Sequence, residues 1–407
     1  MIKKVEIKNY RMLSFVEQEL KPFNVLIGPN ASGKSTFLDA ISLVSDILNI
    51  GLESAIEKRT PNFLDLLWNK DNPQIEIALE LELPEKICNI YPKKKLSLYS
   101  RSRYELIIGI DSISNELQIL EEVLWLKTGK ALEVKKPLGK RKKAPKGWKK
   151  IIIKYPESGN DYYFSETTRY NAPFKLGPRK SALANLTEDE ERFPGAVWSK
   201  HILMEGIQVL TLNSLTMRKP CHPGKKRIFE LDGSNLPVII EDLRRKSVED
   251  FNNWLKHLKT ALSFLTDIEI KEREEDRFLY LVLKDENDRL IPSWVLSDGS
   301  LRILALTLLA YLPGNQRIYL IEEPENGIHP QAIETVYQSL SSVYQGQVFV
   351  ATHSPVFLSI AKKEELLCFS RNADGSAQII SGDKHPLLRD WEGSPNLEIL
   401  YASGILG

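Results

Sequence analysis

The stretch Gly28-Pro29-Asn30-Ala31-Ser32-Gly33-Lys34-Ser35-Thr36 constrains this chain more than any other, because it fits the spacing Gly-x4-Gly-Lys-Ser/Thr. Its two glycines let the backbone wrap round a phosphate and turn N–H groups inward. Lys34 then reaches the β- and γ-phosphates, and the Ser35 hydroxyl ligates Mg²⁺. The spacing has meaning only where a strand enters the loop and a helix leaves it. Phe23-Asn24-Val25-Leu26-Ile27 is almost wholly apolar, as a strand inside a parallel or mixed sheet should be. A helical pattern follows from Ser35 to about Asn49, with its positive N-terminus at the same anion. An ordinary glycine turn lacks that context, so the loop is read as a nucleotide site.

Three later segments offer chemistry to the same ligand. Arg317-Ile318-Tyr319-Leu320-Ile321 is an apolar strand that finishes in Glu322-Glu323-Pro324-Glu325. Adjacent carboxylates there can divide the work: Glu322 holds Mg²⁺ or its water, and Glu323 polarises the attacking water. Without the phosphate loop they would be solvated acids at a strand-to-turn junction. Val348-Phe349-Val350-Ala351 leads into Thr352-His353-Ser354, where a histidine can bond a γ-phosphate oxygen. In isolation His353 would be a strand-end cap. Leu296-Ser297-Asp298-Gly299-Ser300 precedes an apolar helix over 301–312, and Ser297 with Gly299 makes a second small anion-binding end. By itself that segment is only an N-cap.

The rest of the chain sets the frame. With 407 residues, 42% hydrophobic and 27% charged, it has the composition of two or three globular domains. Disordered, collagen-like and fibrous classes are excluded. No apolar run approaches about 18 residues, so no membrane span is expected. The start runs directly into a charged strand pattern without a signal-peptide core. Cys88, Cys221 and Cys368 lie far apart, with no metal spacing, and Cys221-His222-Pro223 has no partner cysteines nearby. A reducing cytoplasm is the expected location.

Periodicity predicts strands over 3–7 and 75–83, the latter half-exposed because Ile75, Ile77, Leu79 and Leu81 alternate with acids. It predicts short strands over 96–165, one helical stretch over about 235–265 and a charged hairpin over 277–290. Three segments result: an N-terminal lobe with the phosphate loop (1–85), a basic inserted region (86–235), and a helical lid with a C-terminal lobe (236–407).

The motifs, taken in order, resemble ABC-type ATPases of the SMC, RecF and OLD group, which serve DNA repair and phage defence. The likeness rests on Asn9-Tyr10-Arg11, the loop 28–36, Leu296–Ser300, Glu322–Pro330 and Thr352-His353-Ser354. It implies an α/β fold: an ABC-type P-loop NTPase head with a mixed central sheet and an inserted α+β lid. ATP and Mg²⁺ would be its cofactors. Glu323 would be the catalytic carboxylate and Glu322 the metal-site acid, while Arg11 would lie near the nucleotide. Ser297 would touch the γ-phosphate bound by a second subunit, so two heads would sandwich ATP as a homodimer. Asp298 and Ser300 depart from the usual Leu-Ser-Gly-Gly-Gln signature, and no glutamine takes the Q-loop place, since Gln74 stands just before a strand.

The net charge of +1 hides an asymmetry, because residues 127–154 hold 12 Lys/Arg and one acid, Glu133. That run could neutralise nucleic-acid phosphates, with Trp125, Trp148 and Tyr155 stacking on unpaired bases. It could equally be a solvated loop or meet an acidic protein. The 54 residues after His353 show no strand-end acid cluster of the nuclease kind. The expected function is therefore an ATPase switch that controls a separate effector such as a nuclease. A slow nucleotide-gated scaffold and a transporter motor are the alternatives.

Overall fold

The computed structural model describes residues 1–91, 99–129, 144–155, 159–312 and 316–389. The chain divides into two compact units: Met1–Lys21 with Pro29–Ile207 and Phe369–Ile379, and Pro22–Gly28 with Gln208–Cys368 and Ile380–Gly407.

The first unit is built on an eight-stranded sheet, antiparallel throughout. Its order is Leu13–Glu19, Ile2–Tyr10, Gln74–Glu82, Tyr99–Ile110, Leu117–Thr128, Trp148–Tyr155, Asn160–Phe164 and Asn171–Phe174. The helix Lys34–Ile50 sets Phe37 edge-on against Phe369.

Two expectations need correction here. The strands over 96–165 are not all short, since Tyr99–Ile110 and Leu117–Thr128 run twelve residues each. Nor is the strand Gln74–Glu82 half-exposed: Glu76 and Glu80 are as buried as the leucines beside them. One cause explains both. The charges that look like surface residues are paired inside the sheet. Arg103 forks onto Glu6 at 2.6 and 2.7 Å and also reaches Glu105 at 2.7 Å. Lys127 meets Glu80 at 2.5 Å, and Lys154 meets Asp161 at 2.8 Å. Burial pushes against ionisation of Glu80, but its bonds from Lys127 and Arg101 hold the carboxyl below its ordinary range.

The second unit holds a parallel core. In the six-stranded sheet, Ile318–Glu322, Gln347–Ala351, Phe23–Ile27 and Leu366–Arg371 pair in parallel in that order. Each of these strands reads as a continuous apolar run because both faces are covered. The stretch over 235–265 is two helices, Leu236–Lys246 and Val248–Ala261. Ser247 breaks it, because its side chain caps the second helix by accepting from the Asp250 N–H at 3.2 Å. The next helix starts at Asp298 and ends at Leu308. It is fixed by a buried bond from Trp254 Nε1 to Thr307 Oγ1 at 2.9 Å. The charged hairpin belongs to a small antiparallel sheet of Leu265–Glu272, Leu279–Asp285 and Leu290–Pro292.

Candidate nucleotide site

Parallel strands deliver their loops to one edge. Glu322 stands opposite Ala351, and Ala351 opposite Leu26, so three strand ends lie side by side. From that carboxyl edge leave Gly28, Glu323 and the segment Thr352-His353-Ser354. In open α/β sheets this edge is where ligands bind.

The phosphate loop continues from Gly28 into the first unit. Gly28 (φ 145°), Ala31 (φ 57°) and Gly33 (φ 108°) take backbone conformations that side chains disfavour. At Gly33 a methyl group would also come within 3.0 Å of Ala377 Cβ, so glycine is required twice over. Pro29, Asn30 and Ala31 are exposed, and Thr36 is half-buried. The Ser32 hydroxyl is buried without a hydrogen-bond partner. Lys34 is 6% exposed and its ammonium donates to the Pro29 carbonyl at 2.9 Å. An orphaned hydroxyl and an ammonium on a loop carbonyl are what a phosphate would satisfy, so these residues fit a nucleotide.

Arg11 takes φ 47° and forms an ion pair with Asp39 at 3.2 Å. Asp39 also accepts from Tyr10 at 2.5 Å and Arg59 at 2.7 Å. Asn9 sends its amide to the carbonyls of Asn69, Asn72 and Gln74, stitching down the neighbouring loop. The Asn9-Tyr10-Arg11 segment is thus fastened to the helix that follows the phosphate loop.

In the second unit, Glu322 and Glu323 are both exposed. Glu323 has φ 47°, and its N–H is held by the Ala351 carbonyl at 2.8 Å. A glutamate in the left-handed region costs about 1–3 kcal/mol, and such strain concentrates at functional positions. One of its carboxylate oxygens accepts from Asn326, and the other makes no bond among the described residues. Glu322 lines a polar cavity of about 440 Å³ with Asn213, Asp298 and Arg302. Within its own unit Glu322 offers exposed carboxylate oxygens of the kind Mg²⁺ takes, since that ion keeps waters and few protein ligands. Among the described residues no group of three or more His, Cys, Asp and Glu could hold a metal.

Sequence reasoning passed over Glu325. Its Oε1 accepts from Thr352 Oγ1 at 2.6 Å and from the N–H groups of His353 and Ser354 at 3.2 and 3.1 Å. Glu325 therefore ties the acidic turn to the histidine segment. Its place in Glu-Glu-Pro-Glu was the only signal.

Ser297 does cap its helix, accepting from the Ser300 N–H at 3.1 Å. Gly299 is set by close approach, for a Cβ there would lie 2.3 Å from the Gly327 carbonyl oxygen. Asp298, the departure from the signature, is paired with Arg218, which also donates to the Leu296 carbonyl at 2.9 and 3.1 Å.

The basic run divides differently from the expectation. Residues 130–143 lie outside the described part. At its flanks Lys127 and Lys154 are buried in ion pairs, and Lys149 donates to the carbonyls of Ser165 and Glu166. Trp125 and Trp148 are buried and packed edge-to-face at 5.5 Å, so base stacking by them is ruled out. No helix among the described residues is long and apolar enough to cross a membrane.

The family described as "AAA domain, putative AbiEii toxin, Type IV TA system" matches residues 143–359, and the "AAA ATPase domain" family matches residues 1–190. Endonuclease GajA of Bacillus cereus is 24% identical over 367 residues, which are 87% of this chain and 55% of that protein. The OLD nuclease of Thermus scotoductus is 43% identical over 44 residues, 11% of this chain and 8% of that protein. At most, then, the chain spans about half the length of these relatives. Among solved structures, an SMC head bound to the C-winged helix domain of ScpA superposes with a TM-score of 0.54. It is 15% identical and covers 93% of this chain and 97% of its own, which is a likeness of fold.

Proposed function

The chain belongs to the AAA domain family, as an SMC- and OLD-like AAA ATPase, and we propose that it binds and hydrolyses ATP, dimerises on it, and switches an effector in DNA repair or phage defence. The observation that carries this reading is the shared carboxyl edge, where Gly28, Glu322, Glu323 and Thr352-His353 leave adjacent parallel strands. The loop amides cradle the α- and β-phosphates, Lys34 reaches the β- and γ-phosphates, and Arg11 lies beside them. Ser35 and Glu322 hold Mg²⁺, which neutralises phosphate charge when bound. Glu323 accepts a proton from the attacking water, and His353 bonds the γ-phosphate. Ser297 and Gly299 complete the partner's site in a homodimer. The names of the relatives, an endonuclease and a nuclease, support nucleic-acid cleavage as the effector's task.

A slow, nucleotide-gated scaffold is the second reading, favoured by Asp298 and its pairing with Arg218 at the place of a signature glycine. Turnover separates the two. For a switch, ATP hydrolysis per chain should rise with protein concentration until dimers saturate, reaching about 0.1–10 per second, below or near typical enzyme values. Hydrolysis at background with ATP still driving assembly would favour the scaffold.

A further inference from the structure

The strands Leu366–Arg371 and Ala377–Ser381 are joined by a tight turn in which Ser376 bonds Asp374 and the Asn372 carbonyl accepts from Gly375. Residues 369–379 of this hairpin belong to the same compact unit as the phosphate loop. Two contacts fasten them there. The Ala377 N–H donates to the Met12 carbonyl at 2.8 Å, with the Ala377 methyl directly under Gly33. Arg371 Nε donates to the Ala31 carbonyl at 2.7 Å.

The second contact falls where the loop most needs support. A hydrogen bond from outside the loop to one of its carbonyls fixes the peptide plane that carries that carbonyl. Ala31 is the one residue of that loop with a Cβ in the left-handed region. Its carbonyl is the oxygen that Arg371 takes. The guanidinium lies 340 residues away in sequence, with no motif to mark it.

We propose that Arg371 is a positioning residue of the nucleotide site, holding Ala31 in its left-handed conformation so that the loop amides already converge before a phosphate arrives. This rests on the reading of residues 28–36 as a nucleotide loop. Because the cradle surrounds the inner phosphates, Arg371 supports nucleoside di- and triphosphates equally.

The test is equilibrium binding of ATP and of ADP to the full chain. Arg371→Ala should weaken both by about tenfold, the scale of one lost preorganising contact. Arg371→Lys should recover part of the loss, because an ammonium can still donate to the Ala31 carbonyl. Adding Ala31→Gly to Arg371→Ala should recover at least half of it, since glycine adopts the conformation without a clamp. Nucleotide-free melting should stay within about 2 °C of the parent, separating the effect from folding. Unchanged affinities, a loss confined to ATP, or no recovery on adding Ala31→Gly would each overturn the proposal. If the parent chain binds neither nucleotide, the phosphate-loop reading itself fails, which is a separate outcome.

Discussion

Lys34→Ala should lower ATP affinity at least about a hundredfold, because charge-assisted bonds to two phosphate oxygens are lost at roughly 1.5–3 kcal/mol each. Lys34 is 6% exposed, and its ammonium lies over the loop on the Pro29 carbonyl at 2.9 Å. Alanine removes that charge and leaves the Ser32 hydroxyl still unpartnered. Melting of the nucleotide-free variant within a few degrees of the parent would show that the loss is one of binding and not of folding. A titration with ATP would check this; an unchanged dissociation constant would remove the loop from the site.

Glu323→Gln should leave ATP binding within about threefold and reduce turnover by roughly 10²–10⁴, the usual contribution of a positioned general base. The amide keeps the shape of the side chain but cannot accept the proton. Glu323 suits the task because its backbone is held by Ala351 and one oxygen by Asn326, leaving the other oxygen without a bond among the described residues. ATP should accumulate on this variant and stabilise its dimer by mass action. Turnover near that of the parent would transfer the role of base to another group, Glu322 first.

The parallel core was legible because its strands are buried on both faces. Phe23–Ile27, Ile318–Glu322 and Gln347–Ala351 match their apolar runs within a residue or so. The loops at their ends hold Glu322, Glu323 and Thr352-His353, so the second unit's part of the candidate site was legible with them. The antiparallel sheet was not. Arg103, Glu105 and Lys127 look like surface or turn residues, yet they sit in long strands whose charges neutralise one another in the interior. Periodicity assumes that charge marks solvent, and paired burial breaks that assumption. Trp125 misled for the same reason: it stands just before the basic run in sequence, but Lys150 lies over its ring inside the fold. Arg371 and Arg218 were invisible because each acts on a backbone carbonyl far away in sequence, and carbonyls leave no trace in residue identity.

The claim that two heads complete each other's nucleotide sites is tested most directly by mixing two inactive chains. Lys34→Ala cannot hold ATP in its own loop, whereas Ser297→Arg cannot complete the site of its partner. Each alone should be silent. In a mixed dimer one site keeps both an intact Lys34 and the intact Ser297 of the other chain. Equimolar mixing should therefore restore about one quarter of parental ATP hydrolysis per chain, from one working site in each of the half of dimers that are mixed. Activity at background in a mixture shown to contain folded, mixed dimers would contradict assembly of the site across two chains.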